Sequence, residues 1–370
     1  MPVSIVKANY LNIESRLKKA LKLINYSPKK DRIVLKPNAA SPYGHYLLGD
    51  YTSPQILEAL IRFYKDREIV IAEGAAVGMD FDRTFQLLGY KTLEKKYKNV
   101  SILDLNKAAR REFKWKYGKL KLPEIIFTHE YINIPKMKTH QLATVTLGAK
   151  NQKGLLNEAT KKKFHWIDIH DALRRLSAIA VPDLTIIDGI IAMEGNGPSS
   201  ALGTPKLMGV LIAGQDMLET DNAACAAMGI AVEKVQHLPR VPVEIRGEKI
   251  QAVRKKFKMP HKENGFLKLG NVYLTCGCSG CLESFSGIPR TFLQPKNAAR
   301  LPRMLRHALK NDIFGKHYIL MGKHFENIPD DGRVICMGNC TRAIALEYGL
   351  PHIKGCPPSP EDILGSLLTD

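Results

Sequence analysis

The sequence predicts an α/β protein: a mostly parallel sheet flanked by helices, followed by a second, smaller α/β domain that bears the cysteines. Three observations predict this. Short β-branched runs alternate with helical stretches through the first two thirds of the chain. Each run closes on a turn rich in charge or glycine. Six of the seven cysteines fall beyond a change in composition near residues 237–268. The expected domains are therefore 1–245, an α/β domain that binds an anionic ligand, and 246–370, which carries a cysteine metal or cluster site.

Taken in order, Arg32-Ile33-Val34-Leu35 is a first strand ending in Lys36-Pro37-Asn38. Ser53 caps a helix over 55–64, with Pro54 in its first turn. Glu68 to Ala72 is the next strand and ends in Glu73-Gly74. A helix over 82–88 stops at Gly89. Tyr131 to Ile134 is a strand that gives way to Pro135-Lys136-Met137-Lys138-Thr139-His140. Leu184 to Ile187 ends in Asp188-Gly189, and Met208 to Ala213 ends before Asp216. In the second domain, Val272–Thr275, Lys316–Gly322 and Arg333–Gly338 read as strands and Pro302–Leu309 as a helix.

Open α/β sheets bind ligands beyond the carboxyl ends of their strands. Those ends bring Lys36, Asn38, Lys136, Lys138, His140 and Asp188 toward one edge, if the strands run parallel. A capping or turn role competes for each of them taken alone. Lys150 and Asn151, in Gly148-Ala149-Lys150-Asn151-Gln152-Lys153-Gly154, add a cationic, hydrogen-bonding cradle suited to carboxylate or phosphate. The phosphate loop G-x-x-x-x-G-K-[ST] and the dinucleotide fingerprint G-x-G-x-x-G are both absent. Asp188 and Glu194 flank a short apolar turn, and with His140 they are the candidates for proton transfer. His165, Asp168, His170 and Asp171 form a further cluster, although histidines five apart do not share a helix face.

The chain of 370 residues is 45% hydrophobic, enough for a sizeable core, and has no uncharged apolar run that would span a membrane. Its N-terminus lacks the pattern of a secretory signal, so the cytoplasm is the expected location. The net charge of +19 attracts anions, including acidic protein partners. The lysines are dispersed, without an aromatic ladder, which argues against nucleic acid as the partner.

Closely grouped cysteines in a reducing compartment point to metal or cluster binding before disulfides. Cys276, Cys278 and Cys281 follow one strand, Cys336 and Cys340 bracket a Gly-Asn turn, and Cys356 precedes two prolines. Four thiolates suit a 4Fe-4S cluster, with zinc as the alternative. Cys225, within an alanine-rich helix, reads as an inert buried thiol. The segment Gly355-Cys356-Pro357-Pro358-Ser359-Pro360-Glu361 resembles the last ligand segment in the cluster-bearing small subunit of quinone oxidoreductases and nickel–iron hydrogenases.

The run Lys36-Pro37-Asn38, the Pro-Lys-Met-Lys-Thr-His segment, Gly148-Ala149-Lys150-Asn151 with Lys153-Gly154, Ile187-Asp188-Gly189 with Met193-Glu194-Gly195, and Ala213-Gly214 with Asp216 and Asp221 occur in this order. Over about residues 30–235 they resemble the domain of unknown function 362 family. The resemblance implies an association with iron–sulfur centres, often on an appended ferredoxin module that this chain lacks. The expected function is an iron–sulfur protein acting in redox chemistry on an anionic small molecule or cofactor. The alternatives are a non-enzymatic cluster carrier or electron-transfer protein that docks an acidic partner, and a zinc-stabilised nucleic-acid-binding protein. Whether the chain is an enzyme is left open; an iron–sulfur oxidoreductase is the class it fits.

Overall fold

The computed structural model describes residues 1–370 except 40–48, 165, 199–201, 264–265, 270, 276, 289–314, 323–326 and 369–370. His165, Cys276 and the helix expected over 302–309 thus lie outside the described residues. The chain divides into two compact units, Met1–Met259 and Pro260–Asp370.

The first unit is built on a sheet of ten strands among the described residues. In chain order these are β1 (Val3–Lys7), β2 (Arg32–Pro37), β3 (Glu68–Glu73), β4 (Val100–Asp104), β7 (Glu130–Ile134), β8 (Lys136–His140), β9 (Thr144–Thr146), β10 (Leu184–Gly195), β11 (Gly203–Gly214) and β12 (Ile245–Gly247). A separate hairpin, β5 (Arg110–Trp115) and β6 (Gly118–Pro123), lies between β4 and β7. The main order is β12-β1-β11-β10-β7-β2-β3-β4, and β4, β3, β2, β7 and β10 run parallel.

Alternation along the strands fills a core on each face. Ile33, Leu35, Ile69 and Ile71 face helices α1 (Ile13–Leu23) and α2 (Pro54–Phe63). Val34, Val70 and Tyr131 face α8 (Ile169–Ile179) and the hairpin. Farther along the sheet, Ile187, Val210 and Ile212 pack under α9 (Met217–Ala227), which also buries Cys225. Ser53 caps α2 by accepting from Gln55 N at 3.3 Å, and Gly89, at φ 78°, ends the segment after α3 (Phe81–Leu87).

Four features depart from expectation. The Lys136–His140 segment is a strand rather than a loop: Pro135 offers no N–H, its carbonyl takes the Asp188 N–H at 2.9 Å, and the chain then pairs with the far half of β10. β10 does not stop at Asp188-Gly189 but runs through a bulge between Gly189 and Ile191 to Gly195. β11 is antiparallel to β10, so Asp216 sits at the opposite edge, where it caps α9 through Glu219 N at 2.9 Å. The first unit also extends past 245, because β12 pairs with β1 and α10 (Ile250–Val253) packs with α9.

The second unit holds a six-stranded sheet in the order β13 (Lys262–Glu263), β14 (Phe266–Leu269), β15 (Val272–Leu274), β16 (His317–Met321), β17 (Arg333–Met337) and β18 (His352–Ile353). The last four are parallel. Among the described residues its helices are α11 (Ser279–Ser286), α12 (Arg342–Glu347) and α13 (Pro360–Leu368). Among the described residues no helix is long and apolar enough to cross a membrane.

Candidate functional site

The carboxyl ends of β2, β3 and β7 meet α6 (Gly148–Asn151), the 3-10 turn Gln152–Leu155 and α7 (Glu158–Lys163). Lys36 is fully buried, and its ammonium lies 2.8 Å from Glu73 Oε2. Glu73 Oε1 accepts the Gly74 N–H at 2.8 Å. The 3-10 turn closes over this pair at Gly154: a Cβ there would stand 2.0 Å from Glu73 Oε1 and 2.7 Å from Lys36 Nζ, so only glycine fits. Lys161 reaches in from α7 and donates to the carbonyls of Gly74 (3.0 Å) and Ala75 (2.8 Å). Burial lowers its pKa to about 8, against the pull of Glu73.

Asp221 fixes the start of α6 by accepting the N–H groups of Gly148 (2.7 Å) and Ala149 (2.8 Å). Burial raises its pKa to about 7. In the unfolded chain the group titrates near ~4, so the fold holds an extra proton between these values. The linked stability is complete below that unfolded pKa and is lost as the pH rises through about 7. Urea titrations from acidic to mildly alkaline pH should show wild type losing midpoint relative to Asp221→Asn over this window; parallel curves would contradict the assignment.

Lys150 sits on α6 in the midst of these charges. None of the hydrogen bonds or ion pairs among the described residues involves its amine. Burial first, then Lys153, Lys138 and Lys36, drive its pKa well below the usual lysine value. His140, at the end of β8, is buried beside it. Its Nδ1 accepts the N–H groups of Leu142 (3.1 Å) and Ala143 (3.3 Å), which leaves the ring proton on Nε2. That Nε2 is buried and has no hydrogen-bond partner among the described residues. Burial, followed by Lys150, Lys153 and Lys138, holds the imidazole neutral. Asn151 donates to Asn133 Oδ1 at 2.8 Å and accepts from Asn38 at 3.1 Å, while Asn38 Oδ1 is a second buried atom without a partner among the described residues. A lysine amine within electrostatic reach of a buried, neutral N–H donor suits an oxyanion, whose charge would favour the ammonium form that burial disfavours.

Other expected residues are engaged elsewhere. Lys136 and Asp188 form a buried pair at 2.7 Å. Asp188 also accepts from Ser53 N at 3.0 Å, Ile190 N at 3.2 Å and Tyr10 OH at 3.4 Å, so both oxygens are occupied. Lys138 donates to the carbonyl and carboxylate of Asp50 at 2.6 and 3.2 Å. Glu194 accepts from Lys206 at 2.6 Å and Lys258 N at 3.0 Å. Asp188 and Glu194 stand six residues apart on one extended strand, roughly 20 Å along its axis, and do not form a carboxylate pair. Asp168 caps α8, and Asp171 binds Arg175 at 2.9 Å and Tyr117 at 2.6 Å.

In the second unit the loops after β15, β17 and β18 emerge at one edge of the parallel sheet. The latter two are laced together: Gly338 N donates to Ile353 O at 2.8 Å, Asn339 N to Gly355 O at 2.8 Å, and Gly355 N to Asn339 Oδ1 at 2.9 Å. Gly338 takes φ 94°, and a Cβ there would stand 3.5 Å from Cys281 Sγ and 3.6 Å from Cys340 Sγ. The Cys281 thiol is pushed well above its usual range by its hydrogen bond with Cys278, then by burial, then by the charges of Cys278, Cys340 and Cys356. Cys281 and Cys340 thus both border Gly338, and Cys278 and Cys356 lie within electrostatic reach of Cys281. Cys336 instead points into the core with Phe266 and Tyr318. Among the described residues no group of three or more His, Cys, Asp or Glu side chains stands at metal-holding distance. As a donor set, the four soft thiols on loops with glycine at the turns fit a thiolate-bound centre.

No solved structure matches the chain. A thylakoid-associated protein of Synechocystis sp. is 41% identical over 97 residues, which cover 24% of this chain and 29% of that protein's length. The chain thus spans under a third of the relative it matches. The family model described as domain of unknown function (DUF362) matches residues 33–226, from β2 through α9. That span is just over half of the chain and contains Lys36, Lys138, His140 and Lys150 together, and the protein belongs to this family.

Proposed function

We propose that the first unit binds a small oxyanion through Lys150 and His140, with Lys138 and Lys153 supplying the surrounding positive field. The observation that carries this reading is the buried Nε2–H of His140, which has no partner among the described residues and lies within electrostatic reach of the Lys150 amine. Leaving a buried donor unpaired costs about 1–3 kcal/mol, and a bound anion removes that cost. We further propose that Cys278, Cys281, Cys340 and Cys356 hold a 4Fe-4S cluster, with zinc as the competing occupant. A bound cluster supplies one-electron transfer. Together these features suit an oxidoreductase acting on an anionic small molecule, with Lys150 binding the charge, His140 donating to the anion oxygen and Asp221 fixing the loop that carries Lys150.

Two measurements test this. In calorimetric titration with inorganic phosphate, Lys150→Met should weaken binding at least about tenfold; unchanged affinity would remove the anion site. Anaerobic purification should give a brown protein with iron and acid-labile sulfide, and Cys281→Ala should lose both. A colourless protein containing only zinc would overturn the redox reading.

A further inference from the structure

A cavity of about 310 Å³ opens where β1 gives way to α1, bounded by that turn, by Met208-Gly209-Val210 of β11 and by the end of α10. β1 runs antiparallel to β11 and so in the same sense as β10 and β7. The cavity therefore lies at a carboxyl strand end, where open α/β sheets take their ligands. Its polar side chains are Lys7, Asn9, Asn12, Arg16 and Lys255, all outside residues 33–226 that the family model matches.

Hydrogen bonds tie its walls together. Ala8 N donates to Gly209 O at 2.9 Å, and Lys255 Nζ to Leu207 O at 2.7 Å. Asn9 Oδ1 accepts from Leu11 N at 2.9 Å and Asn12 N at 3.0 Å, while Asn12 Oδ1 accepts from Asn9 N at 2.9 Å. Between them Tyr10 is anchored, donating to Asp188 at 3.4 Å and accepting from Lys136 at 3.0 Å. The turn is thus fixed before any ligand arrives. A backbone N–H needs an oxygen as its acceptor, so both asparagines keep their NH2 groups as the remaining donors.

Every charged side chain on the cavity is a cation. Lys7 meets Glu248 at 3.7 Å in an exposed pair, of a kind worth little. Lys255 spends one of its three donors on Leu207. Arg16 stands apart: its Nε is buried without a hydrogen-bond partner, and its guanidinium forms no ion pair among the described residues. A buried N–H left unpaired is costly. The guanidinium edge that includes Nε is also one that can grip phosphate with two parallel bonds. The remaining wall is apolar, with Met208, Val210 and Val253 buried in the core.

We infer that this cavity binds a small organic phosphate. Arg16 grips the phosphate group, Lys7 and Lys255 add charge, and the carbon frame of the ligand lies against Met208 and Val253. Three cations and two amide NH2 groups offer more donors than one carboxylate can use, whereas a phosphate brings three oxygens and close to two negative charges. The inference is independent of Lys150 and His140, neither of which lines the cavity.

Phenyl phosphate, titrated calorimetrically into the full chain at low ionic strength, is the probe. It should bind saturably to the wild type, and the binding should survive in Lys150→Met. Inorganic phosphate has nothing to lay on the apolar wall and should bind the cavity more weakly, as should benzoate, which carries less charge. In the Lys150→Met background, Arg16→Met should weaken phenyl phosphate at least about tenfold, and Arg16→Lys, which keeps the charge without the fork, should restore only part of the loss. If Arg16→Met does not fold, Lys255→Met, at an exposed position, decides in its place with a several-fold loss expected. Unchanged affinity in the deciding variant overturns the inference, as does benzoate binding as tightly as phenyl phosphate. Loss of binding in a folded Lys150→Met chain would assign the ligand to the buried site and overturn it too. Absence of binding to the wild type overturns it while leaving the buried anion site to its own titration with inorganic phosphate.

Discussion

Replacing Glu73 by alanine is expected to cost the first unit about 3–5 kcal/mol, the amount typical when a buried ion pair loses one partner. Lys36 would remain with its ammonium at 0% exposure and no counter-charge. The Gly74 N–H would lose its acceptor, and Lys150 and Lys161 would each lose the attraction of the carboxylate. For a unit of this size the loss corresponds to a fall in Tm of roughly 10 °C. Glu73→Gln should be milder because the Gly74 N–H keeps an oxygen. The double variant Lys36→Met/Glu73→Leu should recover most of the loss, since it leaves no buried charge unpaired. Gly154→Ala should approach the severity of Glu73→Ala by another route, because its Cβ would have to displace the Glu73 carboxylate. Thermal melts and urea titrations of the four variants decide the matter. Glu73→Ala at wild-type stability would mean that Lys36 has no need of its partner.

The pairing of Lys36 with Glu73 shows where sequence reading reaches its limit. The strands that carry them are legible: Arg32-Ile33-Val34-Leu35 and Glu68-Ile69-Val70-Ile71 are short β-branched runs with local punctuation, and both form as expected. That Lys36 and Glu73 extend from adjacent parallel strands follows from register, which no local pattern states. The same reasoning gathers Lys138, His140 and Lys150 toward one region, but it cannot tell a lysine with a fixed partner from one without. Lys36 and Lys136 form ion pairs with carboxylates; among the described residues Lys150 forms none, and the difference appears only in three dimensions.

Direction is also hidden. Asp216 follows an apolar run like the others, but β11 returns antiparallel from β10 and delivers it to the far edge. Arg16 is missed for the opposite reason. It is one charge among several on α1, and its place at the cavity depends on β11 and α10, far along the chain. The cysteines were more legible, because three loops closing parallel strands share one edge. Cys336 differs from Cys340 only in that it still belongs to the strand, where alternation sends it inward.

The unexpected role of Asp188 gives the second large effect. As the end of a turn it would be a free carboxylate available for proton transfer. Within β10 it is 0% exposed and holds together four parts of the fold: Lys136 on β8, Tyr10 before α1, Ser53 at the start of α2, and Ile190 on the bulge. Asp188→Ala should therefore destabilise the first unit by about 3–5 kcal/mol. Asp188→Asn should lose less, because its amide oxygen can still accept from Ser53 N, although its NH2 group would face Lys136. The buried Lys136 amine, whose pKa burial already lowers, would shed its proton more readily in either variant. A double-mutant cycle with Lys136→Met separates the possibilities. If Asp188 acts by holding the fold, the double variant should regain stability relative to Asp188→Ala, and phosphate affinity should track the folded fraction rather than the carboxylate. If Asp188 instead serves the bound ligand directly, phosphate affinity should stay low in the fully folded double variant. The crowding of four donors on its two oxygens favours the first result, since a carboxylate so fully engaged has no lone pair left to take up a proton from a ligand.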